Sequence, residues 1–172
     1  AELAHIARHD ELTGLPNRRH FQERLDQALA RAQRSGEHFA LLFIDVDNFK
    51  RINDQWGHEG GDAVLQALAL RLRSATRKVD TVARIGGDEF LVMLENPAHP
   101  EDVAHIAEKL LECIRSPIVY KGNELPVGFS IGISQYPLDG TTATDLMASS
   151  DHAMYAAKSA GRNRFRFSSS AG

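Results

Sequence analysis

Arg84-Ile85-Gly86-Gly87-Asp88-Glu89-Phe90 sets two glycines and two carboxylates between two strand-like runs. Residues 81–85 are β-prone, and residues 89–94 alternate Phe90, Val92 and Leu94, so the paired glycines predict a hairpin. Glycine leaves the backbone open to close approach by a ligand, and Asp88 and Glu89 offer the hard oxygens that Mg²⁺ takes. Taken alone, the same residues also suit a turn with no further role.

The 172 residues are 42% hydrophobic and 25% charged, which suits one domain with a proper core and excludes disordered and fibrous classes. A net charge of −3 gives no basic footprint for a nucleic-acid backbone, so any nucleotide partner is expected to be small. The longest apolar run, residues 39–44, is far shorter than the roughly 20 residues that span a bilayer. No signal-peptide pattern opens the chain. The domain is expected to be cytoplasmic and to make no membrane contact, although a full-length parent can be membrane-anchored. Cys113 is the only cysteine, which excludes an intramolecular disulfide, and it falls within an apolar stripe that suggests packing.

Residues 1–8 read as a helix without a cap, with Leu3 and Ile6 where an amphipathic helix continues upstream; they are expected to end a signalling helix of a larger protein. Asp10-Glu11-Leu12-Thr13-Gly14-Leu15-Pro16-Asn17 is a turn cluster, followed by a helix to about Arg34 with Phe21, Leu25, Ala28 and Leu29 on one face. Residues 39–45 form an unbroken apolar strand, which predicts burial on both faces at the centre of a helix-covered sheet. A short helical stretch at 48–54 leads through Gly57 and Gly60-Gly61 to a helix ending near Leu72. Beyond the hairpin the pattern predicts a helix over 101–115, a strand over 127–134, a helix over 145–160 capped by Thr144 and ended by Gly161, and a closing strand over 164–167. The alternation predicts one α/β domain, residues 9–167, around a mixed sheet, with 168–172 as a flexible tail.

Asp45 stands where the buried strand emerges. Ligands of open α/β sheets bind beyond the carboxyl ends of strands, so Asp45 and Asp88 are candidate ligands of one cation. Beside them, Asp47 fits a helix cap and Lys50 a solvated charge. Asp62 reads either as an N-terminal cap, with His58 an exposed loop residue, or as a carboxylate accepting both hydrogen bonds of guanine's N1 and N2 edge while Asn53 reads O6 or N3. Lys158 and Arg162 straddle a helix C-terminus, where the dipole favours cations anyway, and their spacing also aims both at a triphosphate. His5 and His9 lack a third ligand nearby and read as exposed or packing residues rather than a zinc site. No Ser-His-Asp arrangement or Walker-type loop stands out.

Together these blocks resemble the GGDEF-domain family, the diguanylate cyclases, over residues 10–167. The likeness rests on residues 10–19, 45–54 and 57–62, the intact Gly86-Gly87-Asp88-Glu89-Phe90, Ser130-Ile131-Gly132-Ile133-Ser134, and residues 151–163, all in the family's order. It implies a palm-like, ferredoxin-like α/β (α+β) fold similar to nucleotidyl cyclases, and condensation of two GTP into cyclic di-GMP with release of two pyrophosphates. It also implies that Asp45, the Val46 carbonyl and Asp88 hold Mg²⁺, for which Mn²⁺ can substitute. Asn53 and Asp62 would read guanine, with His58 near the nucleotide. Lys50 would steady transition-state charge, and Lys158 and Arg162 would bind the terminal phosphates. Asp88, or a water it orders, would help remove the 3′-hydroxyl proton, with Glu89 supporting the metal. Phosphoryl transfer needs such an aligned nucleophile and neutralised charge.

A twofold-symmetric product calls for two domains facing each other, so the active state is expected to be a homodimer enforced by upstream sequence, and the isolated domain a poorly active monomer. Arg77-Lys78-Val79-Asp80 matches the family's Arg-x-x-Asp product-inhibition site in residue type and distance. Arg77 would grip the phosphate and guanine of cyclic di-GMP, and Asp80 a guanine edge; otherwise the four residues are a charged turn. Attached sensor or phosphodiesterase domains are expected in the full protein. Two alternatives stand beside this reading. One is a catalytically silent module that binds GTP or cyclic di-GMP; the other is a nucleotidyltransferase that turns over ATP and GTP alike.

Overall fold

Eight consecutive buried residues, Phe39–Val46, decide the layering. Side chains alternate along a strand, so Ala40, Leu42, Ile44 and Val46 join one apolar cluster while Phe39, Leu41 and Phe43 join another. A strand apolar on both sides needs helices on both sides. The computed structural model describes residues 8–170, which run α1 (Arg18–Ser35), β1 (Phe39–Val46), α2 (Phe49–Ser74), β2 (Thr81–Gly86), β3 (Glu89–Glu95), α3 (Glu101–Cys113), β4 (Ile118–Tyr120), β5 (Asn123–Leu125), β6 (Phe129–Tyr136), α4 (Ala143–Ser159), β7 (Arg164–Phe167) and a 3-10 turn, Ser168–Ser170. The main sheet has the order β2-β3-β1-β6-β7. Its pairs are antiparallel except β6–β7, which is parallel. A mixed α+β architecture follows.

One face is covered by α2 and α3 through Val64, Leu65, Leu68, Leu72, Val103, Ala107 and Leu110. The other is covered by α1 and α4 through Phe21, Leu25, Leu29, Leu146 and Met154. Asn17 caps α1 by accepting from the His20 N–H at 3.0 Å, and Gly36, at φ 75°, ends it in the left-handed conformation. The short and long helical stretches expected after β1 are α2 itself, bent at Gly57, whose φ of 73° and ψ of 174° interrupt the helix.

Two expectations change and one element is new. Asp62 lies inside α2, past the bend, and caps nothing. The cap of α4 is Thr142, whose side chain accepts from the Asp145 N–H, so the helix starts before Thr144. The β4–β5 hairpin, with Lys121 at φ 49° and Gly122 at φ 77° in its turn, had no counterpart in the sequence reading. The predicted upstream helix, with Leu3, His5 and Ile6, lies outside the described residues, as do residues 171–172 of the tail. No helix among the described residues is long and apolar enough to cross a membrane.

Candidate active site

The sheet register assembles the acidic centre. Asp45 pairs with Glu89 of β3 on one side and with Ser130 of β6 on the other. Directly opposed like charges repel across strands, so this pairing asks for a cation. The hairpin tip adds Asp88: Gly86 and Gly87 adopt φ of 146° and 48°, and the Asp88 carbonyl accepts from the Val46 N–H at 3.1 Å. Arg84 braces the turn by donating to the Gly87 carbonyl from Nε at 3.0 Å and Nη2 at 2.8 Å. Its Nη1 meets Asp10 at 2.9 Å, and Asp10 in turn accepts from the Thr13 N–H and hydroxyl. The turn cluster at 10–17 therefore supports the hairpin tip from below.

Asp45 is 6% exposed. Its Oδ2 meets the Lys158 ammonium of α4, and its Oδ1 is buried with no hydrogen-bond partner. Burial lifts its pKa to about 6; Lys158 opposes the rise and the neighbouring Asp88 carboxylate adds to it. Burial also raises Glu89, helped by the charges of Asp45 and Asp151, and raises Asp151, helped by Asp45. For Lys158 burial pulls downward but is outweighed by Asp45, so its pKa ends above the ordinary value. Crowded carboxylates with an orphan buried oxygen fit a divalent cation, which Asp45, Asp88 and the Val46 carbonyl would hold. Among the described residues no three acidic, His or Cys side chains already converge on one point, so other oxygens must complete the shell.

Beside this centre opens a cleft of about 490 Å³. It is lined by five residues the sequence singled out, Val46, Lys50, Asp88, Lys158 and Arg162, together with Asn48, Phe49, Arg51 and Asp54, which it did not. Asn53, His58 and Asp62 stand along α2 outside that lining. His58 and Asp62 are exposed. Asn53 lies over Gly61 so closely that a Cβ there would fall 1.9 Å from its Oδ1.

Asp47 is not a helix cap. It is buried, accepts from the Ser130 hydroxyl at 2.5 Å and from the Asn163 N–H at 2.9 Å, and so ties β1 to β6 and to the turn that carries Arg162. At the other end of the β2–β3 hairpin, Arg77 pairs with Asp80 through two contacts, at 2.9 and 3.2 Å. The Asp80 side chain is fully buried and also accepts from the N–H groups of Arg77 and Glu95. Its oxygens are engaged within the protein and reach a guanine edge only if these bonds are exchanged. Arg77 remains half-exposed. His9 rests edge-on against the His20 ring at 5.5 Å and bridges to Pro16 rather than continuing a helix; His5 lies outside the described residues.

A family profile described as "Diguanylate cyclase, GGDEF domain" matches residues 7–164. The chain is 46% identical over 166 residues to the bifunctional diguanylate cyclase/cyclic di-GMP phosphodiesterase MucR of Pseudomonas aeruginosa, covering 96% of this chain and 24% of MucR. It is thus about a quarter as long as that relative. The solved GGDEF domain of TpbB from Pseudomonas aeruginosa superposes with a TM-score of 0.90 at 43% identity, covering 93% of this chain and 94% of that one. The coiled coil and GGDEF domain of DgcB from Caulobacter crescentus, solved in complex with c-di-GMP, matches with a TM-score of 0.84 at 29% identity, covering 96% and 88%.

Proposed function

The chain belongs to the GGDEF domain family of diguanylate cyclases, and from that premise we propose that it condenses two GTP into cyclic di-GMP. Each 3′-hydroxyl oxygen forms a bond to the α-phosphorus of the facing GTP. The bond from that phosphorus to the bridging oxygen breaks, and pyrophosphate leaves with the electron pair. The observation that carries the reading is the juxtaposition at Asp45: a buried carboxylate with an orphan oxygen, crowded by Asp88 and Glu89, beside a cleft walled by Lys50, Lys158 and Arg162.

A divalent cation, Mg²⁺ by its match to hard oxygens, would supply charge neutralisation and a lowered hydroxyl pKa when bound. The protein's own groups do the rest. Lys158 and Arg162 hold the terminal phosphates, and Lys50 offsets charge that grows in the transition state. Asp88, or a water it orders, accepts the proton of the attacking hydroxyl, and Glu89 supports the acidic centre. Asn53 and Asp62 present an amide and a carboxylate to guanine's edge, which adenine cannot match, with His58 near the nucleotide. Arg77 binds returning cyclic di-GMP as an inhibitor, and Asp80, locked against it, holds the guanidinium in place. Sensor or phosphodiesterase domains attached elsewhere in a full-length protein would set when this happens.

The deciding experiment incubates purified protein, fused to a dimerising coiled coil, with GTP and Mg²⁺. Cyclic di-GMP and pyrophosphate should appear in a one-to-two ratio, ATP should not be turned over, and Asp88→Asn should lose the product. Wild-type silence with intact GTP binding would replace this reading with that of a regulatory module.

A further inference from the structure

Behind the phosphate cleft runs a second, larger groove of about 680 Å³. It lies between the start of α2, the strand connection at Pro126–Gly128 and the turn after α4. The two spaces share Asn48, Arg51 and Arg162. Beyond the shared Arg162, nothing in the proposed reaction uses this groove or Arg51.

Its chemistry favours a small polyanion. Arg51 and Arg162 are both exposed, and among the described residues neither guanidinium meets a carboxylate at ion-pair distance. The one carboxylate in the lining, Asp47, has its oxygens held by the Ser130 hydroxyl and the Asn163 N–H, whose dipoles offset part of its charge, and the two guanidiniums outnumber it. Two free guanidiniums at one rim match the paired oxygens of phosphate groups, and the amides of Asn48 and Asn163 add donors. The wall is Trp56 with Leu125 and Val127, whose low polarity strengthens ionic contacts at the rim.

We propose that this groove is a pyrophosphate subsite, with Arg51 as the residue that draws the leaving group out of the cleft while Arg162 passes it across. The proposal rests on the reading of the neighbouring cleft as the site of GTP condensation. It adds a place for the leaving group and a role for Arg51. Pyrophosphate departs with most of the triphosphate's negative charge, and an adjoining pair of cations gives it somewhere to go other than back onto the reacting phosphorus.

Trp56 is the only tryptophan in the chain and lines the groove, so the native protein carries its own reporter. Inorganic pyrophosphate without nucleotide should change Trp56 fluorescence saturably, whereas sulfate at equal ionic strength should not. Arg51→Ala should weaken that response about ten-fold or more while GTP turnover at saturating substrate persists. In the same variant the inhibition constant of pyrophosphate should rise by a larger factor than KM for GTP. A flat fluorescence titration overturns the subsite, as does a response that survives Arg51→Ala. Pyrophosphate binding seen by calorimetry with Trp56 silent also overturns it, since the anion then sits in the cleft alone. Loss of GTP turnover in the wild type would instead strike the parent reading, and the pyrophosphate titration separates the two failures.

Discussion

At Asp45 the fold holds a charge it disfavours. Its pKa of about 6, against an ordinary 3.8, means the folded chain binds this proton more tightly than the unfolded one, so stability falls as pH rises through that interval. Above the interval the penalty is fully present, and a bound cation would relieve it. Without divalent cations at pH 7.5, Asp45→Asn should therefore melt about 2–5 °C higher than wild type. The gap should close as the pH falls below 4. Added Mg²⁺ should raise the wild-type midpoint at pH 7.5 and leave the variant unmoved; a variant that melts lower there would contradict the account. Gly61 makes a separate case. A methyl group at Gly61 would strike the Asn53 Oδ1, the end of a side chain that can swing aside, and press the Phe49 Cζ at 3.1 Å, the edge of a ring that needs to shift only slightly, so the main cost falls on the placement of the amide. Gly61→Ala is expected to raise the GTP dissociation constant about ten-fold with a melting shift of only a degree or two, read by calorimetry and a thermal scan. Asp45 and Asp88 were legible in the sequence because a strand end and a glycine turn are local patterns. The Asp10–Arg84 pair and the Asp47–Asn163 bond were not, because their partners stand 74 and 116 residues apart and only the folded sheet brings them together.

Between elements, α4 lies in close backbone contact with β6. A Cβ at Gly132 would lie 2.0 Å from the Ser150 carbonyl oxygen and 2.2 Å from the Met154 nitrogen, both backbone atoms that cannot rotate away. The helix that carries Lys158 therefore rests directly on the strand beside Asp45. Gly132→Ala must push α4 outward, and it should lower unfolding free energy by about 1–3 kcal/mol or more in a denaturant titration. Because Lys158 moves with the helix, this variant should also lose GTP turnover at temperatures where it is still folded. Stability equal to wild type would mean that the helix seats differently. The helices and main strands were legible because their apolar spacing is long and regular. The bend in α2 was partly so, since Gly57 breaks a run that otherwise reads as helix. The β4–β5 hairpin was not: its strands have three residues each, and its turn puts Lys121 at positive φ, where asparagine or aspartate is the usual signal.

Among the described residues the whole molecule has one acidic centre, at Asp45 and Asp88 beside the cleft, whereas cyclic di-GMP, the proposed product, contains two equivalent phosphodiester bonds. On the proposed reading one GTP in this cleft has its terminal phosphates at Lys158 and Arg162, and its own 3′-hydroxyl cannot serve both bonds of the product. If the proposed reaction holds, the second nucleotide arrives on a facing copy, and the symmetry of the product then makes the arrangement twofold. Mass action gives this a kinetic signature. Well below the dimer dissociation constant, specific activity should climb in proportion to protein concentration, and above it activity should level off. Following pyrophosphate release over a hundred-fold range of protein should show a rise of about ten-fold or more for the isolated domain. Fusion to a parallel coiled coil should flatten the same curve at its upper plateau. If the isolated domain instead shows one specific activity across the whole range, equal to that of the fusion, then a single copy completes both bonds, and the assignment of one cleft to one GTP fails with it.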